Sequence, residues 1–236
     1  MHFLDLTLPD PAANLALDEA LLLHAETSGG GEVLRLWHWP APVVVLGSAC
    51  RLADDVDEAA CLADGVPILR RSSGGGTVLW GNGCLLFSLV LSYDRAPELA
   101  QIGSSYRYIL GRLAAALGLD GVRQAGVSDL AVGDRKFSGN AQHRKRTFLL
   151  HHGSLLYDFD LTLVGRYLRP PPRQPKYRSR RAHDEFLCNV PLTATQMKRQ
   201  LRDAWGADVE QTAWPEEAVR RLSVEKYMRD EWTRRR

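Results

Sequence analysis

The 236-residue sequence lacks any run of about 18 apolar residues, and no basic segment followed by a small-residue cleavage site opens it. Neither a membrane-spanning helix nor a secretory leader is therefore expected, and the expectation is a cytoplasmic protein with no membrane partner. Cysteine is scarce. Cys50, Cys61, Cys84 and Cys188 lie far apart, with no close pair resembling a zinc knuckle or a redox motif, so four reduced thiols are expected. Net charge is nearly absent too, at +2. A chain this balanced is not built to coat nucleic acid, and no nucleic-acid partner is expected. No internal repeat at a solenoid or propeller period is present.

What is present is a hydrophobic fraction of 45% with 25% charged residues, enough for a sizeable core in one large domain. Phe3, Leu4 and Leu6 suggest a first strand, and Pro9-Asp10-Pro11 ends it. Residues 12–26 read as a helix with Leu15, Leu22 and Leu23 on an apolar face and acids on the other side, stopped by Ser28 and three glycines. Strands are expected at 33–39, 43–46, 67–71 and 77–80, with an acidic helix near 52–64 and the longest apolar strand at 84–92. A helix over 98–117 ends at Gly118. A hairpin then turns at Gly133-Asp134, and TFLLHHGSLLY follows as a further strand. Residues 170–175 should form an extended Pro-rich loop, with helices near 194–205 and 215–231. The class is α+β, a mixed β-sheet core flanked by helices.

The sharpest local feature is Arg70-Arg71-Ser72-Ser73-Gly74-Gly75-Gly76. Glycines let backbone N–H groups approach a bound group closely, and arginines are permanent donors to phosphate or carboxylate. The segment reads as an anion-binding floor or as a flexible hairpin with surface arginines. It is neither a dinucleotide fingerprint nor a phosphate loop of the GxxxxGK[ST] type. Lys136, just after the hairpin turn, reads as an exposed lysine or as a point charge for phosphate or for charge developing during acyl transfer. Asp129 could orient it or cap backbone N–H groups. His151 and His152 are adjacent in a strand, so their side chains point to opposite faces and at most one faces a given pocket. The arginine-rich stretch 166–181 contains no acid, which suits a solvated loop, an acidic partner or a phosphate.

Four blocks together carry a resemblance: NLALDEALL (14–22), RRSSGGGTVLWGNGCLLFSL (70–89), VSDLAVGDRKFSGNAQ (127–142) and LLHHGSLLYDFDL (149–161). In this order they resemble the lipoate–protein ligase A family, within the biotin/lipoate ligase and octanoyltransferase superfamily. The resemblance spans about residues 3–205. It implies the biotin/lipoate ligase catalytic-domain fold, and over 1–236 a single such domain without a large C-terminal accessory domain. It also implies a two-step reaction: lipoate or octanoate and ATP, with Mg2+, give an acyl-AMP, and a lipoyl-domain lysine then attacks it. The implied partners are lipoyl-domain acceptors of 2-oxoacid dehydrogenases or the glycine cleavage H-protein, with a separate accessory protein as a further candidate. By this resemblance Lys136 is the catalytic lysine. Arg70, Arg71, Ser72, Gly74, Gly75, Gly76, Asp129, Ser138, Gly139, Ala141, His152 and Gly153 surround the acyl and adenylate groups. The acyl tail is expected against 43–46 and 84–91. No metal ligands are assigned.

Cys84 stands where many family ligases carry asparagine, which weakens the case for ATP. The alternative is an octanoyltransferase moving octanoate from octanoyl-acyl carrier protein, with Cys188 as a candidate nucleophile. GVRQAGVSDL has no cysteine where one transferase class carries it, and FLCNV does not reproduce the pattern of the other. A third reading is a noncatalytic module that binds a lipoyl domain.

Overall fold

The computed structural model describes residues 1–171 and 174–236. After strand β1 (His2–Asp5), Asp10 accepts hydrogen bonds from Ala12 N and Ala13 N and Pro11 occupies the first turn, so helix α1 (Pro11–Ser28) begins where the sequence provides both a cap and a fixed φ. Gly29, in the left-handed region, ends it. Strands β2 (Val33–His38) and β3 (Val43–Leu46) follow, then short helices α2 (Leu52–Asp55) and α3 (Glu58–Ala63). The single helix expected over 52–64 is broken because Val56 is extended and bridges Leu168, after which Asp57 caps α3.

Next come β4 (Ile68–Arg70), β5 (Val78–Trp80), β6 (Cys84–Ser92), α4 (Ile102–Leu117), β7 (Val122–Ala125), β8 (Asp129–Val132), β9 (Arg135–Arg144) and β10 (Phe148–Leu156). The chain continues through α5 (Thr162–Tyr167), α6 (His183–Phe186), α7 (Ala194–Trp205), β11 (Val209–Glu210), α8 (Glu216–Leu222), a π turn (Ser223–Tyr227) and α9 (Asp230–Thr233). Two residues of the expected Pro-rich loop, Pro172 and Arg173, lie outside the described residues.

Eight strands form one mixed sheet in the order β11-β1-β2-β6-β10-β9-β8-β7, parallel where β1 meets β2 and β11 and antiparallel elsewhere. A second sheet, β4-β3-β5, packs beside it. The alternation of strand side chains sorts the large sheet into two faces. Leu34, Leu36, Leu85, Phe87 and Leu89 join the core under α4 and α7, while Val33, Trp37, Leu86 and Val90 join the core under α1 and the small sheet. At roughly 25 cal/mol per Å2 of apolar surface, a fully buried Leu or Phe contributes about 1.5–3 kcal/mol, so the uniformly buried β6 anchors both cores at once.

The same alternation aims the polar residues. Arg35 shares a face with Val33 and Trp37, and so points at α1. His152 shares a face with Leu150 and Leu156, on that same side. His151 faces the opposite core, where it is fully buried and stacks on Phe87.

Candidate active site

Two cavities adjoin one another on the α1 face, one of about 100 Å3 and one of about 460 Å3, and Lys136, Asp129, Gly76, Thr77, Gly139 and Ser154 line both. The larger lies within the size range of small-molecule sites. The smaller is a slot walled by Trp37, Trp80, Leu86 and Phe87 together with polar residues that include Asp18, Arg71, Asn140 and His152. Lys136 therefore stands at the junction of the two chambers.

The hairpin of β8 and β9 places it there. Its Nζ lies 2.8 Å from Asp129 Oδ1, and Tyr177 donates its hydroxyl to Asp129 Oδ2 at 2.7 Å, so the carboxylate is held from both sides. Burial, together with Asp129, raises the pKa of Tyr177 well above the usual phenol value, which keeps it a donor. A Cβ at Gly139 would lie 2.8 Å from Lys136 Nζ and 3.0 Å from its Cε, so any larger residue there would push the lysine's tip aside. Ser138 lines the larger chamber, and Ala141, His152 and Gly153 line the smaller.

The glycine loop is held by its own arginines. Arg71 donates from Nη2 to Gly74 O (2.6 Å) and Gly76 O (2.8 Å), from Nη1 to Val45 O (3.2 Å) and from Nε to Ser73 Oγ (3.0 Å). Burial pushes its pKa down to about 10. Gly75 adopts φ of +83°, and its carbonyl comes so near Gly47 that a Cβ on Gly47 would lie 2.0 Å from it. Arg71 lines the smaller chamber.

Arg70 lines neither chamber. Fully buried, it donates from Nε and Nη2 to Thr233 O (2.9 and 2.7 Å) and from Nη1 to Gly47 O and Cys50 O (both 2.8 Å). Trp232 Nε1 returns a bond to Arg70 O at 2.7 Å. Ser72 Oγ meets His143 Nδ1 at 3.0 Å, away from both linings, and Gly74 and Gly75 line neither chamber. The structure thus brings together Lys136, Asp129, Gly76, Arg71, Ser138, Gly139, Ala141, His152 and Gly153, and leaves Arg70, Ser72, Gly74 and Gly75 outside both linings.

Sequence reading missed the polar network beneath. Ser73 Oγ lies 2.6 Å from His152 Nε2, and His152 Nδ1 lies 3.1 Å from Asp18 Oδ2. Since Arg71 Nε already donates to Ser73 Oγ, the serine hydroxyl is free to donate to Nε2, and His152 carries its proton on Nδ1, toward Asp18. Arg35 Nη1 donates to Asp18 Oδ1 at 2.7 Å and also to Asn14 O, and Nη2 bonds Asn14 Oδ1. Burial would raise the pKa of Asp18, but the Arg35 guanidinium and the His152 bond outweigh it and hold the carboxyl below its ordinary value. A signal did exist: Asn14 and Asp18 are four apart on α1, within a helix otherwise rich in Leu and Ala.

None of the four cysteines lines either chamber. Cys188 Sγ lies 3.5 Å from Arg135 O, its side chain packs against the core under α4 and α7, and burial pushes its thiol up. Cys84 is buried at the start of β6, its pKa pushed up to about 12. Of the expected tail-binding segments, Leu86 and Phe87 line the slot, whereas Val43–Leu46 are fully buried in the small sheet.

The mixed sheet, the glycine loop and a lysine lining both chambers accord with a catalytic domain of the lipoate-transfer class. The sequence model for the lipoyl protein ligase A/B catalytic domain matches residues 10–213, and the chain belongs to that family. Among curated proteins it is 30% identical to the octanoyltransferase LipM of Kyrpidia tusciae, over 95% of each chain, and 32% identical to the LipM of Carboxydothermus hydrogenoformans, over 72% of this chain and 69% of that one. Among solved structures it resembles a lipoate-protein ligase A bound with ATP, with 26% identity, a TM-score of 0.79 and coverage of 99% and 98%. It shares its fold with the bipartite lipoate protein ligase of Thermoplasma acidophilum, at 24% identity, a TM-score of 0.82 and coverage of 99% and 95%. The α+β class with a mixed sheet flanked by helices is that of these ligases, and the chain is an enzyme of the lipoate ligase and octanoyltransferase superfamily.

Proposed function

We propose that this enzyme is an octanoyltransferase, taking octanoate from the thioester of an acyl carrier and passing it to the ε-amine of a lipoyl-domain lysine. The observation that carries the reading is that curated relatives, two of them matched over nearly their whole length, are octanoyltransferases. The ATP-dependent ligase suggested first by the sequence blocks becomes the second reading, favoured by the likeness to the ATP-bound ligase.

In the transfer, the octanoyl tail occupies the slot between Trp37, Trp80, Leu86 and Phe87, and the thioester carbonyl lies at the junction beside Lys136. The target amine attacks the carbonyl carbon, and Lys136 stabilises the oxyanion as charge develops. Collapse forms the amide C–N bond and breaks the C–S bond, and the amine's proton ends on the departing thiolate. With no cysteine on either chamber wall, transfer proceeds directly between thioester and amine rather than through Cys188. The acceptors are lipoyl domains of 2-oxoacid dehydrogenases or the glycine cleavage H-protein, in the cytoplasm.

For the ligase reading, Mg2+ would arrive with ATP. Among the described residues no group of three His, Cys, Asp or Glu gathers to hold a metal. The carboxylates on the chamber walls, Asp18, Asp55 and Asp129, already accept from Arg35, Thr77 and Tyr177 respectively.

Intact mass spectrometry of an apo lipoyl domain incubated with the enzyme separates the readings. Octanoylation from octanoyl-acyl carrier protein alone is expected. Modification confined to lipoate with Mg-ATP would replace transferase by ligase, and binding without modification under either condition would leave a noncatalytic module.

A further inference from the structure

Of the carboxylates on the chamber walls, two have a cation and one does not. Asp18 is paired with Arg35 at 2.7 Å, and Asp129 with Lys136 at 2.8 Å. Asp55, on the wall of the larger chamber and 8% exposed, forms no ion pair with any described lysine, arginine or histidine. Arg70 is near enough to feel its charge, but that guanidinium donates to the carbonyls of Thr233, Gly47 and Cys50 instead. The Cys50 thiol, whose pKa burial and Asp55 both raise, is an uncharged neighbour. Aspartate is rarely buried without a cation, because a carboxylate taken from water loses its solvation. A cation that the protein does not supply is one the chamber can receive.

The carboxylate is also held beside the junction of the chambers. Thr77 donates its hydroxyl to Asp55 Oδ2 at 2.6 Å, and Thr77, like Lys136, lines both chambers. A carboxylate can accept about four hydrogen bonds, so Thr77 and Cys50 leave room for further donors. Leu156, Val164 and Leu168 line the same chamber, apolar surface for an alkyl stem.

We propose that Asp55 is the base for the acceptor: it receives the ε-ammonium of the target lysine and takes the proton that must leave before the nitrogen can attack. This rests on the proposed transfer to a lysine amine. An ordinary lysine keeps its proton up to about pH 10, so near neutrality almost none carries the lone pair that attack requires. Beside Asp55, within the chamber, an ammonium and a carboxylate both lose solvation, which favours the neutral amine and carboxylic acid. The amine then attacks the carbonyl carbon beside Lys136. As the C–N bond forms and the C–S bond breaks, the second proton leaves the nitrogen with the thiolate, and Asp55 returns the first to water.

Turnover on a lipoyl domain tests this with two acceptors: the natural lysine, and thialysine at the same position, made by aminoethylating a cysteine placed there. The sulfur of thialysine makes its ammonium release a proton more readily. Asp55→Asn keeps an acceptor for the Thr77 hydroxyl and removes the charge. With octanoyl-acyl carrier protein as donor, it should lower kcat on lysine by about 10²-fold and on thialysine by several-fold less, with KM for the donor within about twofold of wild type. The thermal midpoint should not fall, since the variant loses a buried charge that has no cation. Equal losses on the two acceptors, or no loss, overturn the proposal. Should Asp55→Asn fail to fold, the smaller Asp55→Ser carries the same comparison. Wild type that works only with octanoate and Mg-ATP overturns the transferase reading, and the same two acceptors with that donor then decide the role of Asp55. Wild type inactive with both donors overturns both.

Discussion

Two basic regions converge on this site and use their charge in opposite ways. Arg70 and Arg71 turn their guanidiniums inward onto backbone carbonyls, seven donor contacts on carbonyl oxygens and one on Ser73. Lys136 has one side-chain partner, Asp129, and remains 24% exposed at the meeting of the chambers. The arginines shape the loop that borders the site, while the lysine keeps a charge available inside it. The two basic regions thus differ in how many of their donors are already taken, the arginines holding the loop and Lys136 standing as the candidate reagent.

The contrast breaks most sharply at Lys136. Lys136→Met should lower transfer by about 10²–10³-fold with the thermal unfolding midpoint unchanged, a loss typical of removing an oxyanion-stabilising group. Near-normal turnover in the mass assay would end its role as reagent. Arg70→Met should do the reverse: leaving the Thr233, Gly47 and Cys50 carbonyls without their donor costs about 3 kcal/mol in urea unfolding. If its stability is unchanged and turnover alone falls, Arg70 is no scaffold.

The two histidines extend the comparison to pH. Burial, with a smaller contribution from His152, lowers His151 to about 3 against an ordinary value of 6.5. The unfolded chain therefore binds a proton that the folded chain refuses. Stability is fully present above pH 6.5 and lost as pH falls toward 3, by about 3 kcal/mol between pH 7 and 4. His151→Gln, which keeps a hydrogen-bonding side chain but cannot titrate, should show that much less loss when urea midpoints are compared at the two pH values. Parallel behaviour of wild type and variant would mean that His151 is not the acid-sensitive group. A smaller effect is expected at Gly139→Ala, whose new methyl displaces Lys136 and slows turnover about tenfold with KM little changed. Smallest is Ser72→Ala, within about twofold in rate, because Ser72 meets His143 outside both chambers.

Much of this arrangement was legible in the sequence because it is local. The hairpin at Gly133-Asp134, the long strand over 84–92 and the opposed faces of His151 and His152 follow from turn chemistry and the two-residue period of a strand. What was not legible spans long separations. Asp18 and Glu19 read as the side of a helix opposite its apolar face, yet both are buried, Asp18 on Arg35 and His152, and Glu19 beneath Lys226 and Tyr227. Arg70 could be recognised as part of a loop, but its partner lies 163 residues away. The helix expected over 215–231 bends through a π turn into α9, the bend that brings Thr233 to Arg70. No periodicity in a single segment encodes such meetings, which depend on how the sheet stacks.

The bond from Arg70 to Thr233 also sets an order of events during synthesis. A growing chain emerges residue by residue from its amino end, so β4 and the glycine loop leave the ribosome long before residue 233 exists. Until then Arg70 lacks two of its four contacts and the Trp232 indole is missing from its carbonyl. Nascent chains stalled short of this point should hold the loop unlatched, and a protease that cleaves just before Trp232 would return a finished enzyme to that immature state.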